Sequence, residues 1–153
     1  MKLLSEKLNG RDPHQAGLGL LEALYGAPLP EIRRTPLGKP YFVGEGLHFS
    51  ISHTKRRVFC VLSDTPVGID AEELDREVNL KLAEKILSPM ERQQFDSADD
   101  QRIALLTFWV LKEAQVKLSG KGLTGYPNHT EFTLSDPRVR ELEGCLVAVL
   151  TDA

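Results

Sequence analysis

The sequence predicts a mixed fold of helices and antiparallel strands. Leucines at helical spacing follow a capping residue near the start of the chain, and alternating apolar and polar residues mark a strand near its middle. Two further helix starts and two apolar runs come later. Because a helix followed by strands occurs in each half, a loose internal duplication stays open. The 153 residues suffice for one ordinary domain or for two small fused halves.

Composition narrows the class of protein. Hydrophobic residues make up 41% of the chain and charged residues 27%, which is typical of a globular protein. The net charge of -3 argues against a dedicated nucleic-acid partner. Cys60 and Cys145 lie in apolar runs without metal-ligand spacing, which favours a reduced, cytoplasmic compartment. We find no signal peptide and no membrane-spanning run, so we expect no membrane partner.

The first half is predicted to begin with a helix. Leucines over Gly17–Leu24 share one helix face, with Asp12 as the N-cap and Pro13 at the first helical position. A Gly- and Pro-rich break follows. Two short extended pieces flank a turn that contains glycine and proline, at Ile32–Thr35 and Tyr41–Val43 around Leu37–Pro40.

A strand is predicted over Leu47–Thr54 because apolar and polar residues alternate there. One face would carry apolar side chains and the other would carry polar ones, including Ser50 and Ser52, so the strand should be half-buried. Further strands follow two turns, at Arg57–Leu62 and Val67–Glu72. We therefore predict a three-stranded antiparallel meander that ends in an acidic tip.

The second half is predicted to begin with helices. Leu80–Leu87 suits a short helix, and Ser88 with Glu91 forms a capping box for a helix that ends near Ser97. Asp99 or Asp100 caps a long helix that runs to Ser119, followed by a glycine-rich exit over Gly120–Leu123. The last two apolar runs are predicted to be strands, at Thr130–Leu134 and Leu142–Leu150.

Asp70 and Glu72 form the first candidate site. Residues two apart on a strand face the same side, so the two carboxylates repel each other unless a cation joins them. Ligand sets made only of oxygen select a hard ion such as Mg²⁺. An exposed acidic strand end accounts for this pair at least as well.

Two groups of polar and basic residues could contact a phosphate. The first joins Ser52 and His53 to the cations of Lys55–Arg57, and the second is Gly38–Lys39–Pro40. Each of them is also what an ordinary solvated turn contains. Spacing alone does not decide between these alternatives.

The long helix carries Glu113 and Lys117 one turn apart, and Lys121 follows its end. A carboxylate and an ammonium on one helix face can hold a metal and a phosphate side by side. The alternative is a surface ion pair that contributes a few tenths of a kcal/mol. Glu113 would complete a three-carboxylate site with Asp70 and Glu72 if the elements meet, which periodicity does not determine.

Four stretches in the same order and spacing resemble the 4′-phosphopantetheinyl transferase superfamily. They are Gly38–Pro40, Phe49–His53, Val67–Glu72 and Trp109–Lys117. The Ser88–Glu91 helix start and the Gly120–Leu123 exit are also similar, so the resemblance spans about residues 38 to 123.

The resemblance implies an enzyme that transfers the 4′-phosphopantetheine arm of coenzyme A to a serine of an apo acyl or peptidyl carrier protein, releasing adenosine 3′,5′-bisphosphate. It implies that Asp70, Glu72 and Glu113 hold Mg²⁺, with Glu113 or a metal-bound water as the base. The implied catalytic set is Glu113, Asp70, Lys117 and His53. The implied coenzyme A contacts are Lys39, Ser52, His53, Lys117 and Lys121.

The resemblance also implies an α+β fold of two similar halves with a packed long helix and the active site in the cleft between them. Residues 1–64 would form an abbreviated N-terminal half, and residues 65–153 a C-terminal half with the metal and phosphate motifs. A short, monomeric, surfactin-type member is expected. The alternative is a non-catalytic homologue that binds coenzyme A or a nucleotide, which the abbreviated first half favours. An acidic carrier would meet positive charge around Lys55, Arg56, Arg57 and Lys112.

Overall fold

The computed structural model describes residues 1–121 and 130–152, which contain four α-helices and eight strands. The helices are α1 (Pro13–Tyr25), α2 (Ala83–Ile86), α3 (Pro89–Asp96) and α4 (Gln101–Ser119), with a 3₁₀ turn at Leu80–Leu82 leading into α2. The strands are β1 (Lys2–Lys7), β2 (Ile32–Arg34), β3 (Pro40–Phe42), β4 (His48–His53), β5 (Arg57–Ser63), β6 (Val67–Glu73), β7 (Val139–Leu142) and β8 (Cys145–Thr151). No helix in this part of the chain is long and apolar enough to cross a membrane.

The strands form two three-stranded antiparallel sheets and one small hairpin. The first sheet has the order β1-β5-β4, the second has the order β6-β8-β7, and β2 pairs with β3. The prediction of a mixed fold of helices and antiparallel strands is confirmed.

Strand β5 shows how the layers are stacked. Val58 and Cys60 point toward α1, whereas Phe59 and Val61 point toward the second sheet. The outer face of the second sheet is covered by α4. Because side chains alternate along a strand, the unbroken apolar run from Val58 to Leu62 follows from burial on both faces of β5.

The two sheets meet along β4 and β6 through side chains. The Ile69 N–H donates to Ser50 Oγ at 3.1 Å, and the Ala71 N–H donates to Ser52 Oγ at 3.2 Å. These hydroxyls satisfy amides that the pairing of β6 with β8 leaves free. We call this contact the serine seam.

Two predictions for these strands are wrong. The third strand of the meander lies in another sheet, and the polar face of β4 is buried instead of exposed. Strand β5 pairs with β4 as predicted, but its other edge is taken by β1, and β6 pairs with β8 in a separate sheet. Ser50 and Ser52 are buried and not exposed, because the serine seam gives both hydroxyls a backbone partner. Strand β1 was not predicted, because its six residues mix charged and apolar side chains without a clear alternation.

Two predictions near the end of the chain are also corrected. Residues 130–134 do not form a strand, since side chains take their backbone amides: Phe132 N–H donates to Glu91 Oε2 and Leu134 N–H to Gln94 Oε1. The strand predicted over Leu142–Leu150 corresponds to β8, but it begins only at Cys145, because Leu142 ends β7 and a tight turn joins the two strands. The turn residues Glu143 and Gly144 both have positive φ, as a type I′ hairpin turn requires.

The helix boundaries agree with the capping signals. Asp12 caps α1, Ser88 and Glu91 form the capping box of α3, and Asp100 caps α4. Helix α4 ends at Gly120, which adopts a left-handed conformation with φ of 69°. Gly122 and Leu123, the rest of the predicted exit, lie outside the described residues.

Gly68 sets the distance between β6 and α4. A Cβ atom at this position would lie 2.1 Å from the carbonyl oxygen of Ala114 and 2.5 Å from the amide nitrogen of Leu118. Both contacts are with backbone, which cannot rotate away as a side chain can. Only glycine therefore lets the strand lie this close to the helix.

Replacement of Gly68 by alanine should force β6 and α4 apart. We expect Gly68→Ala to lower the free energy of unfolding by about 3 kcal/mol, measured by urea denaturation. The matched control is Gly19→Ala in α1, where an added Cβ meets nothing within 4 Å. That variant should be more stable by about 0.5–1 kcal/mol. Equal effects of the two substitutions would contradict the close-packing argument.

Candidate active site

The serine seam brings three candidate residues together at its centre. Lys117 Nζ lies 3.2 Å from Asp70 Oδ1, and the same oxygen lies 3.4 Å from Ser52 Oγ. Lys117 Nζ also lies 3.4 Å from the carbonyl oxygen of Ile51. Residues of β4, β6 and α4 therefore converge on one carboxylate, although their sequence positions are far apart.

The Asp70 carboxylate is buried and only half satisfied. Its Oδ2 is the one buried side-chain polar atom without a hydrogen-bond partner in residues 1–121 and 130–152. Burial raises the pKa of Asp70 to about 7, opposed by the Lys117 ammonium and assisted by the charges of Glu72 and Glu113. A buried carboxylate oxygen without a donor is a position that a cation would fill.

Glu72 and Glu113 lie close enough to affect the charge of Asp70, but the three carboxylates do not form a closed cluster. Glu72 is paired with Arg76, whose Nη1 lies 2.5 Å from Glu72 Oε1. Burial raises the pKa of Glu113, opposed by Lys117 and assisted by Glu72. Within the described residues, no three acidic, histidine or cysteine side chains converge closely enough to hold a metal ion. The oxygen-only donors and the unpaired Asp70 Oδ2 nevertheless fit a hard divalent cation.

A pocket of about 460 Å³ opens beside this cluster. Helix α1, the β2–β3 hairpin, β4 and the last turns of α4 supply its walls, so it lies between the first sheet, the hairpin and two helices. Apolar side chains line the pocket together with five basic ones: His14, Arg34, Lys39, His53 and Lys117. A concave site with convergent cations suits a phosphorylated ligand.

Lys39 reaches the pocket from the hairpin, but its ammonium already has partners. Its Nζ donates to the carbonyl oxygens of Lys117 and Leu118, the latter at 2.8 Å, and lies 3.4 Å from that of Val67. A cation at a helix C-terminus is favourably placed against the exposed carbonyls. Burial lowers the pKa of Lys39. In this structure Lys39 joins the hairpin to α4, and its predicted contact with coenzyme A stays a prediction.

The remaining predicted ligand contacts occupy different positions. His53 is exposed at the end of β4 and lines the pocket. Ser52 is buried in the serine seam, where its Oγ accepts from Ala71 N–H. Lys121 is exposed just after α4, and its N–H donates to Ser119 Oγ. The roles assigned to these three residues stay predictions.

Sequence reasoning missed His14 and Arg34, both of which line the pocket. Arg34 pairs across the hairpin with Pro40, and its Nη1 donates to the carbonyl oxygen of Gly38 at 2.8 Å. Its neighbour Arg33 instead pairs with Glu31 at 2.8 Å. The antiparallel register of β2 and β3 was the signal that could have identified Arg34, because it places this residue beside the Gly38–Lys39–Pro40 turn.

The predicted basic surface for a carrier is partly wrong. Lys112 is buried, with its Nζ 2.8 Å from Glu91 Oε1, so it does not present charge at the surface. Arg56 is exposed, yet it is paired with Glu73 and Asp75. Of the predicted set, Lys55 and Arg57 are left as the candidates for meeting an acidic partner.

Comparison with known proteins identifies the family. The site thus consists of a pair of acids on β6, a glutamate and a lysine one turn apart on α4, and a pocket with basic side chains beside them. The sequence profile of the 4′-phosphopantetheinyl transferase superfamily matches residues 66–146, which include Asp70, Glu72, Glu113 and Lys117. The chain belongs to this superfamily, as the resemblance predicted.

Curated relatives agree with that assignment. A 4′-phosphopantetheinyl transferase of Aneurinibacillus migulanus is 37% identical over 93 residues, which is 60% of this chain and 38% of the relative. One of Bacillus pumilus is 34% identical over 110 residues, covering 69% of this chain and 47% of the relative. One of Bacillus subtilis strain 168 is 34% identical over 79 residues, covering 50% and 35%. The chain therefore spans less than half the length of these relatives.

The raised pKa of Asp70 predicts a pH-dependent effect of Asp70→Asn on stability. The folded value of about 7 lies above the ordinary value of 3.8, so the ionised carboxylate destabilises the metal-free fold as pH rises between them. In EDTA at pH 8, Asp70→Asn should raise the free energy of unfolding by on the order of 1 kcal/mol. At pH 5 the gain should be smaller.

The matched control for this measurement is Asp75→Asn. Arg56 lowers the pKa of Asp75, so ionisation of that carboxylate favours the folded state and the variant should gain no stability at pH 8. Urea titrations at pH 5 and pH 8 measure both variants. A pH-independent loss of stability in Asp70→Asn would contradict the burial argument.

Proposed function

We propose that the chain transfers the 4′-phosphopantetheine arm of coenzyme A to a serine hydroxyl of an apo acyl or peptidyl carrier protein. The observation that carries the proposal is the buried Asp70–Lys117 pair, with one carboxylate oxygen unpaired, at the edge of a cationic pocket in a member of this superfamily. Three of the relatives described above are named 4′-phosphopantetheinyl transferases. The products are the holo-carrier and adenosine 3′,5′-bisphosphate.

The proposed arrangement has two similar halves, residues 1–64 and 65–153, with the site in the cleft between them. The presence of one three-stranded sheet and one long helix in each part supports this division. So does the serine seam, since it joins the two sheets only through side chains. The protein would act as a cytoplasmic monomer.

Coenzyme A would lie in the pocket with its phosphates toward the cationic lining. Arg34 and His14 face the part of the pocket nearest α1 and the hairpin, so they suit the nucleotide end. His53 and Lys117 line the part nearest the carboxylates and suit the pyrophosphate. Positive charges in a concave, partly desolvated site bind phosphate more strongly than the same charges on an open surface.

Asp70, Glu72 and Glu113 would hold Mg²⁺. A bound divalent cation supplies charge neutralisation for the pyrophosphate and for the bisphosphate that leaves. Burial raises the pKa of Asp70 and of Glu113, and the negative charge of neighbouring carboxylates raises both further, so a cation at this position would offset both effects.

Glu113 would take the proton of the carrier serine. Burial raises the pKa of its carboxyl, which makes it a stronger base than an exposed glutamate. The serine oxygen forms the new bond to the phosphorus that carries the pantetheine arm. The bond from that phosphorus to the bridging oxygen breaks, and the electron pair leaves with adenosine 3′,5′-bisphosphate. Lys117 stabilises the developing charge.

The first test is the intact mass of an apo carrier protein after incubation with this protein, coenzyme A and Mg²⁺. We expect a gain of one phosphopantetheine arm. Asp70→Ala and Glu113→Gln should each reduce the rate by about 100-fold or more, since charge stabilisation and proton removal each contribute this much.

The control variant for the transfer assay is Asp96→Asn, which removes an exposed carboxylate that pairs with Arg92 and does not line the pocket. It should transfer at the wild-type rate. Coenzyme A binding without transfer to any of several carriers would instead favour the non-catalytic homologue. Full activity in both Asp70→Ala and Glu113→Gln would contradict the assigned roles.

Arg34 and Arg33 offer a matched test of the pocket. Arg34→Gln removes a cation from the lining, whereas Arg33→Gln removes a neighbouring cation that is paired with Glu31. We expect Arg34→Gln to weaken coenzyme A binding about tenfold, as lost charge-assisted hydrogen bonds do, and Arg33→Gln to change it less than twofold. Isothermal titration calorimetry measures both. Equal weakening would show that only overall charge matters.

A further inference from the structure

Arg76 holds one of the three carboxylates assigned to the metal. Its Nη1 lies 2.5 Å from Glu72 Oε1, and the Glu72 side chain is only 15% exposed. Asp70, two residues earlier on β6, is held in a corresponding way by Lys117. Each of these acids thus has a cation of its own when no metal is present.

The turn that carries Arg76 is fixed at several points. Arg102 of α4 donates from Nη1 to the carbonyl oxygens of Leu74 at 2.5 Å and Arg76 at 3.0 Å. The Leu74 N–H donates to the carbonyl oxygen of Gly144 in the β7–β8 hairpin, and the Arg76 N–H donates to that of Glu73. Anchors from α4 and from the second sheet therefore hold the Arg76 backbone within reach of Glu72.

We propose that Arg76 competes with the divalent cation for Glu72, and so sets the cation concentration at which the site fills. This inference rests on the proposed function, because it takes Glu72 as a metal ligand. Glu72 Oε1 is engaged by the guanidinium at 2.5 Å, so the ion gains both oxygens of Glu72, and the full negative charge of the carboxylate, only when Arg76 releases it.

The exchange raises the positive charge beside the carboxylates. Arg76 brings one positive charge to Glu72 in the empty site, a divalent cation would bring two in its place, and Lys117 stays paired with Asp70. Arg76 is 49% exposed, so its pair with Glu72 is screened by water and weak enough to be displaced. Once released, the guanidinium returns to solvent without leaving a buried charge behind.

The test is the dissociation constant of Mn²⁺, measured by electron paramagnetic resonance on the full chain saturated with coenzyme A. The contribution expected for a half-exposed ion pair corresponds to a roughly two- to fivefold tighter Mn²⁺ complex in Arg76→Gln. Arg76→Lys keeps the charge but loses the planar fork, so its affinity should fall between those of wild type and Arg76→Gln.

Arg56→Gln is the matched control. Arg56 pairs with Glu73 and Asp75, which lie close in sequence to Glu72 and Arg76. Loss of Arg56 therefore removes the same local charge as loss of Arg76, but it does not free Glu72. Its Mn²⁺ affinity should change less than that of Arg76→Gln. Equal tightening in both variants, or unchanged or weaker binding in Arg76→Gln and Arg76→Lys, would overturn the proposal. Urea midpoints check that all variants are folded.

Asp70→Asn separates failure of this inference from failure of the proposed function. If Asp70→Asn weakens Mn²⁺ binding while Arg76→Gln leaves it unchanged, the metal site stands and the role of Arg76 is wrong. If Asp70→Asn leaves Mn²⁺ binding unchanged, the metal assignment itself fails, and the competition falls with it.

Discussion

The close approach of β6 to α4 is the constraint on which the rest of the site depends. Because Gly68 has no side chain, the strand backbone lies against the helix backbone at Ala114 and Leu118. The next residue on the same face of β6 is Asp70, which thereby comes within 3.2 Å of Lys117. A wider separation would leave the carboxylate exposed, with an ordinary pKa and no helix partner.

A second consequence of this packing is a site whose charges are already matched in pairs. Lys117 pairs with Asp70, Arg76 pairs with Glu72, and Lys39 is engaged by helix carbonyls. Ligands would therefore bind partly by exchange of these partners, and a cation would in addition meet the unpaired Asp70 Oδ2. This lowers the desolvation cost of keeping acids and bases together in a partly buried site.

Sequence patterns predicted local structure well where a short-range physical cause exists. Asp12, Ser88 and Asp100 cap helices because each side chain accepts from the backbone amide three residues later. Strand partners were harder to predict. The polar residues Ser50 and Ser52 alternate as solvent-facing residues would, yet they bond to β6, and that long-range contact leaves no mark on the local pattern.

In the candidate site, too, local patterns were predictable and contacts between distant parts of the chain were not. The motifs identified the family and the acidic and basic residues that the seam gathers, because these lie in recognisable order. They did not predict Arg34 in the pocket, Lys112 buried against Glu91, or Arg76 on Glu72. Each of these depends on which elements become neighbours, so the partner of a charged side chain could be learned only from the fold.

The serine seam also separates the two sheets mechanically. A continuous ladder would carry the register of one sheet into the other, so that an inserted or deleted residue would turn side chains over throughout. Two hydroxyl contacts carry no register beyond the positions of Ser50 and Ser52. Strands of the first sheet can therefore lengthen, shorten or shift at their far ends without disturbing how Asp70 and Glu72 face α4.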